Sequence, residues 1–75
     1  MTQPTFNNYP AAREEAKRLA RYYGHKPGRF WPAGFSNSYG TECKKCRAWI
    51  GAQSRHGEPW APYGSGTRDQ CPITG

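Results

Sequence analysis

Cys43-Lys44-Lys45-Cys46 is the stretch that decides how this 75-residue chain is interpreted. Two cysteines separated by two residues let both thiolates hold one metal ion from a tight turn, and Zn²⁺ favours such ligands. A third cysteine, Cys71, lies four residues before the last residue, and His25 directly follows a predicted helix. These four side chains, His25, Cys43, Cys46 and Cys71, are predicted to bind one structural Zn²⁺ ion that staples the domain.

The fourth ligand has two candidates. His25 lies in a turn after the predicted helix, so a metal bound there would tie the helix to the cysteine hairpin. His56 lies ten residues after Cys46 and would tie the hairpin only to its own continuation. We therefore favour His25 and keep His56 as the alternative. A redox role for the cysteine pair is disfavoured, because such motifs accompany a βαβ pattern and nothing after Cys46 looks helical.

The composition leaves little material for an aliphatic core. Hydrophobic residues make up 35% of the chain, with one Leu, two Ile and no Val. Domains of this size rarely obtain more than ~3–5 kcal/mol from a core alone. A structural zinc site supplies about 10–16 kcal/mol. The chain also carries three Phe, three Trp and five Tyr. Five aromatic residues in the second part of the chain are expected to lie mostly inside the core: Phe30, Trp31, Trp49, Trp60 and Tyr63.

The pattern predicts a small α+β zinc-stapled domain. A helix is expected over residues 10–23, capped by Asn7 or Asn8 and ended by Gly24. Its apolar stripe is expected to face inward and consists of Ala12, Ala16, Leu19, Ala20 and Tyr23. This N-terminal helix is expected to pack on a short zinc-knuckle hairpin or sheet, followed by an irregular C-terminal part. Expected strands cover 29–31, 39–42, 48–53 and 60–63. The expected division is 1–9 as a flexible N-terminal segment in which Phe6 packs back as an anchor, 10–72 as one zinc-bound domain, and 73–75 as a tail.

Several short motifs carry a resemblance to a known group of proteins. They are Gly24-His25 with Gly28 and Phe30, the Cys-x-x-Cys pair, Ala48-Trp49, and the late Cys71-Pro72. Over about residues 12–72 the chain resembles small uncharacterised zinc-finger-like proteins of actinobacteria and of their phages. The resemblance implies a Cys₃His zinc site and a cytoplasmic setting, which is the host cytoplasm for a phage protein. It implies no particular activity. Many zinc knuckles have glycine just after the second cysteine, where this chain has Arg47.

The charge points to an acidic macromolecule as partner. The formal net charge is +6, and three thiolates with one divalent ion would lower it by one. We expect a non-enzymatic protein that binds nucleic acid; the alternative is a phage-type accessory protein that docks on an acidic host protein. The expected contact residues are Arg13, Lys17, Arg18 and Arg21 on the helix, with Lys44 and Lys45 as a second patch.

Other function classes are disfavoured by what the sequence lacks. Three thiolates close the metal's coordination shell, and no Ser/His/Asp arrangement or carboxylate pair suggests catalysis, so no small-molecule substrate is expected. No apolar run approaches the ~20 residues that span a bilayer, so no membrane partner is expected. We also expect no secretory leader, because no charged and then apolar stretch opens the chain.

Overall fold

One helix packs on a four-stranded antiparallel sheet. The computed structural model describes residues 5–34, 37–54 and 58–73. The predicted α+β class is confirmed. The elements, in chain order, are α1 (Tyr9–Tyr22), β1 (Trp31–Pro32), β2 (Ser38–Glu42), β3 (Trp49–Gln53), β4 (Ala61–Tyr63) and a short 3₁₀ helix (Ser65–Thr67).

Helix α1 begins and ends one residue before the predicted range of 10–23. The side chain of Asn8 caps it by accepting the N–H of Ala11 at 2.9 Å, and Pro10 lies in the first turn, where no N–H is needed. Gly24 follows the C-cap with a φ of 81°, the left-handed conformation that ends many helices. Within the described ranges no helix has the length and apolar character to cross a membrane.

Each strand of the sheet pairs with the next strand along the chain, in the order β1-β2-β3-β4. The connection from β2 to β3 is the hairpin whose tip carries the cysteine pair. Pro62 lies in β4, an edge strand, where a missing N–H is tolerated. Phe6 joins this region by exchanging two backbone hydrogen bonds of 2.8 Å with Trp60, so this residue is held beside the start of β4.

The core between helix and sheet is built from small side chains. Ala12, Ala16 and Ala20 are fully buried along one stripe of α1, opposite Ile50 and Ala52 of β3. Because alanine projects little from the helix, this stripe lets the backbone of α1 approach the sheet closely. Leu19 and Tyr23, expected in the same stripe, are half-buried.

The aromatic rings do not fill this core. Of the five rings expected inside, Trp31 is 44% exposed, and the other four, Phe30, Trp49, Trp60 and Tyr63, are half-buried. The expectation of burial is therefore wrong for Trp31 and met only in part by the other four, of which Phe30 packs against the buried cluster. The register explains why three of these rings are not fully buried. Trp31 opposes Gly40, Gly40 opposes Gly51, and Gly51 opposes Tyr63, while Trp49 precedes Gly51 by two residues and so lies on the same face. Paired residues share a face of the sheet, and this face lies opposite buried Ile50 and Ala52.

Candidate metal centre

The end of helix α1 places His25. The N–H of Gly24 donates to the carbonyl of Arg21 at 3.0 Å, and the N–H of His25 donates to the carbonyl of Ala20 at 2.8 Å. These two bonds form a Schellman motif, in which a left-handed residue turns the chain back across the last helical turn. His25 is consequently held at the helix terminus, with only 5% of its surface exposed.

The β2–β3 hairpin places the cysteine pair. The N–H of Arg47 donates to the carbonyl of Cys43 at 2.9 Å, and the N–H of Cys43 donates to the carbonyl of Ala48 at 2.8 Å. Arg47 has a φ of 65°, so it takes the left-handed conformation of the glycine that commonly follows the second cysteine. The knuckle turn therefore forms in spite of the arginine, and β3 rather than a helix follows it.

The C-terminal segment delivers the third cysteine. After the 3₁₀ helix, the N–H of Cys71 donates to the carbonyl of Tyr23 at 2.8 Å, which ties this segment to the end of α1. A methyl group on Gly24 would lie 3.8 Å from the Cβ of Cys71. The helix terminus that holds His25 therefore also positions Cys71.

The structure brings together the four side chains that were predicted as ligands. Their ligand atoms all lie within 4.8 Å of one another, and the three cysteines are free thiols. The Sγ atoms of Cys43 and Cys71 are 4.0 Å apart, and Cys46 Sγ is 3.4 Å from His25 Nδ1. A tetrahedron with standard zinc bond lengths has edges of about 3.8 Å between sulfurs and about 3.6 Å between sulfur and nitrogen. The cluster could hold a metal ion. The other candidate, His56, lies outside the described residues.

The ring orientation of His25 is set by a backbone group that the sequence did not reveal. His25 Nε2 lies 2.6 Å from the carbonyl oxygen of Asp69. A carbonyl oxygen can only accept, so Nε2 carries the hydrogen and, in the neutral imidazole, Nδ1 presents its lone pair to the cluster. Metal-binding histidines are commonly oriented in this way by a hydrogen bond from the other ring nitrogen. Because Asp69 acts through its main chain, its residue type carries no signal of this role.

Backbone N–H groups surround Cys43 Sγ. Lys26 and Lys45 each donate to it at 3.4 Å. Burial disfavours the thiolate, but the N–H groups of Lys26, Cys46 and Lys45 outweigh burial and lower the pKa of Cys43 to about 5. The site is thus built to hold a thiolate at Cys43.

Cys46 shows the opposite shift. The N–H of Ala48 favours its thiolate, but burial and the sulfurs of Cys71 and Cys43 together raise its pKa above the ordinary value. Neighbouring thiolates repel each other unless a cation lies between them. Without a metal the cluster therefore resists full ionisation, and a bound cation would remove that obstacle.

Three of the four predicted helix cations form ion pairs with helix carboxylates. Arg13 and Lys17 lie 3.3 Å and 3.5 Å from Glu14, and Arg18 forms two hydrogen bonds to Glu15, of 2.6 Å and 2.7 Å. These contacts are why the pKa of each carboxylate is lowered and that of Arg18 is raised. On the knuckle Lys44 is exposed and Lys45 is half-buried, and Arg21 is exposed in the last turn of α1.

Comparison with known proteins adds no relative: no family model, curated protein or solved structure matches this chain.

Proposed function

We propose that the protein binds one Zn²⁺ ion through His25 Nδ1 and the thiolates of Cys43, Cys46 and Cys71. The observation that carries the proposal is the convergence of four ligand atoms within 4.8 Å, with the His25 lone pair turned toward the sulfurs. Three sulfurs and one imidazole suit Zn²⁺, whereas Mg²⁺ and Ca²⁺ prefer oxygen ligands.

The proposed ion has a structural role. Four protein ligands complete a tetrahedral shell, and a catalytic zinc keeps one position open for water or substrate. The ligands come from the helix terminus, the β2–β3 hairpin and the C-terminal segment, so one ion cross-links three parts of a core-poor fold. We therefore propose a non-enzymatic zinc protein.

Elemental analysis of protein purified reduced and without chelator tests the zinc proposal. We expect one zinc per chain, and we expect Cys71→Ser to weaken zinc retention against a competing chelator. His25→Asn should also weaken retention, while His56→Asn serves as the matched control and should leave retention unchanged. Metal-free protein, or a His56→Asn variant that loses zinc while His25→Asn keeps it, would contradict the proposed ligand set.

We propose further that this zinc protein binds nucleic acid. The support is the formal charge of +6 on a small chain, which attracts polyanions through counterion release. The test measures binding to labelled oligonucleotides over a range of salt concentrations, beside a pull-down from cytoplasm with and without nuclease. Affinity that falls steeply with salt supports the proposal. Capture of one acidic protein that is unaffected by nuclease, with no oligonucleotide binding, would contradict it and favour the docking alternative.

A further inference from the structure

The outer face of the sheet, which points away from helix α1, carries a row of aromatic rings. The centroids of Trp31 and Trp49 are 5.9 Å apart, and those of Trp49 and Tyr63 are 6.3 Å apart. The hydroxyl groups of Tyr63 and Ser38 lie 2.7 Å apart, which anchors the end of the row on the same face. We call Trp31, Trp49 and Tyr63 the aromatic row.

Glycines under the row let the Trp49 and Tyr63 rings approach the sheet closely, and the Trp31 ring meets Trp49 edge to face, at 75°. A methyl group on Gly40 would lie 2.3 Å from Cζ2 of Trp49, and one on Gly51 would lie 2.5 Å from Cε1 of Tyr63. The rings therefore occupy the space in which side chains of the central strands would stand. Trp31 is 44% exposed and Trp49 and Tyr63 are half-buried, so the row is partly accessible at the surface of the described fold.

A groove of about 410 Å³ adjoins the row at Trp31. Its lining includes the cations of Arg29, Lys44 and Arg47, together with one acid, Glu42. Within residues 5–34, 37–54 and 58–73, none of these three cations takes part in a salt bridge, in contrast with Arg13, Lys17 and Arg18 on the helix. We call Arg29, Lys44 and Arg47 the groove cations. Their charges are available to an anion.

Arg47 contributes an exposed cation to the groove wall from the knuckle turn that sets its backbone conformation. Its φ of 65° would suit glycine better. Its position on the groove wall points to contact with an anionic ligand.

From these features we infer that the aromatic row and the groove cations form one binding surface for single-stranded nucleic acid. The inference rests on the proposed nucleic-acid function and specifies where and in what form the partner binds. Flat aromatic rings stack on unpaired bases, and neighbouring cations neutralise the phosphates of the same strand. In a duplex the base faces are already stacked on one another, so the row has no exposed base face to contact. The helix face is a secondary surface, because three of its four cations are paired with helix carboxylates.

The test compares two matched triple variants with the parent protein, all zinc-loaded. Arg29→Gln/Lys44→Gln/Arg47→Gln removes the groove cations, and Arg13→Gln/Lys17→Gln/Arg21→Gln removes the same charge from the helix. The probe is a fluorescent oligothymidine of about twelve nucleotides, which is within the range of single-strand site sizes. Zinc content and thermal melting are measured for each variant, so that loss of fold is separated from loss of contact.

We expect the parent to bind this strand more tightly than a duplex of equal length. The groove variant should make the slope of log affinity against log salt shallower by about 2, since each phosphate contact with a single strand contributes about 0.7. The helix variant should leave the slope nearly unchanged. Trp31→Ala should weaken binding roughly tenfold, while Trp31→Phe retains most of the affinity because it keeps a ring.

Different failures have different meanings. If the parent binds neither strand nor duplex, the proposed nucleic-acid function is wrong and this inference falls with it. If the parent binds but only the helix variant loses affinity, the function stands and the surface assigned here is wrong. Equal or tighter binding to duplex overturns the single-strand assignment. If the groove variant loses zinc but its metal-loaded fraction binds like the parent, the groove cations only balance the thiolates, and the inference is overturned.

Discussion

At the scale of single residues, Arg47 carries the clearest conflict between backbone and side chain. Its left-handed φ of 65° costs an L-residue roughly 1–2 kcal/mol. Glycine avoids this cost, but it loses more conformational freedom on folding, so the substitution recovers only part of it. We predict that Arg47→Gly raises the free energy of unfolding of the zinc-loaded protein by about 0.5–1 kcal/mol, a melting shift of a few degrees. The same variant should bind oligothymidine more weakly. Lys45→Gly is the control, because Lys45 has no positive φ, and it should lower the melting temperature. A lower melting temperature for Arg47→Gly would show that this position is not strained.

At the scale of elements, the two central strands depend on glycine where the aromatic row crosses them. A methyl group on Gly40 would lie 2.3 Å from the Trp49 ring and 2.8 Å from the carbonyl oxygen of Ile50. We predict that Gly40→Ala lowers the free energy of unfolding by about 1–3 kcal/mol and changes the near-UV circular dichroism of the tryptophans, because the ring must lift from the sheet. Gly28→Ala is the control. There the closest atom would be the Thr41 hydroxyl oxygen at 3.1 Å, so the loss should be much smaller. Equal effects of the two substitutions would contradict the close packing of Trp49 on Gly40.

At the scale of the whole molecule, the proposed metal site takes the place of a conventional core. Ile50 is the one large aliphatic side chain among the buried hydrophobic residues of the described ranges, and the rest of that set consists of alanines and the ligands Cys43 and Cys71. Such a core cannot offset backbone ordering of ~1–2 kcal/mol per residue. We predict that chelation under reducing conditions unfolds the domain, with loss of amide dispersion in NMR spectra and of the cooperative melt, and that added Zn²⁺ restores both. A chelated protein that keeps its dispersed spectrum would show that packing alone is sufficient.

Local patterns made much of the architecture predictable. The helix emerged within one residue at each end because Asn8 and Gly24 act on neighbouring backbone groups, which sequence spacing reveals directly. The hairpin and its cysteine tip were predictable for the same reason. The placement of the rings was not predictable, because their side of the sheet depends on which strand residues oppose Gly40 and Gly51. Likewise, nothing in the residue type of Asp69 indicates that its carbonyl orients His25.

The sequence by itself determined the helix, the knuckle hairpin and the candidate ligand side chains, with His25 favoured over His56, since these depend on short spacings and on the chemistry of cysteine and histidine. Only the tertiary structure decided that these candidate ligands meet, that His25 turns Nδ1 inward, and that the aromatic row lies on the face away from the helix, beside the groove cations. The physical reason is how far apart in the sequence the interacting groups lie. Caps and turns are closed by neighbours in the chain, whereas strand register and long-range hydrogen bonds arise when distant segments pack together.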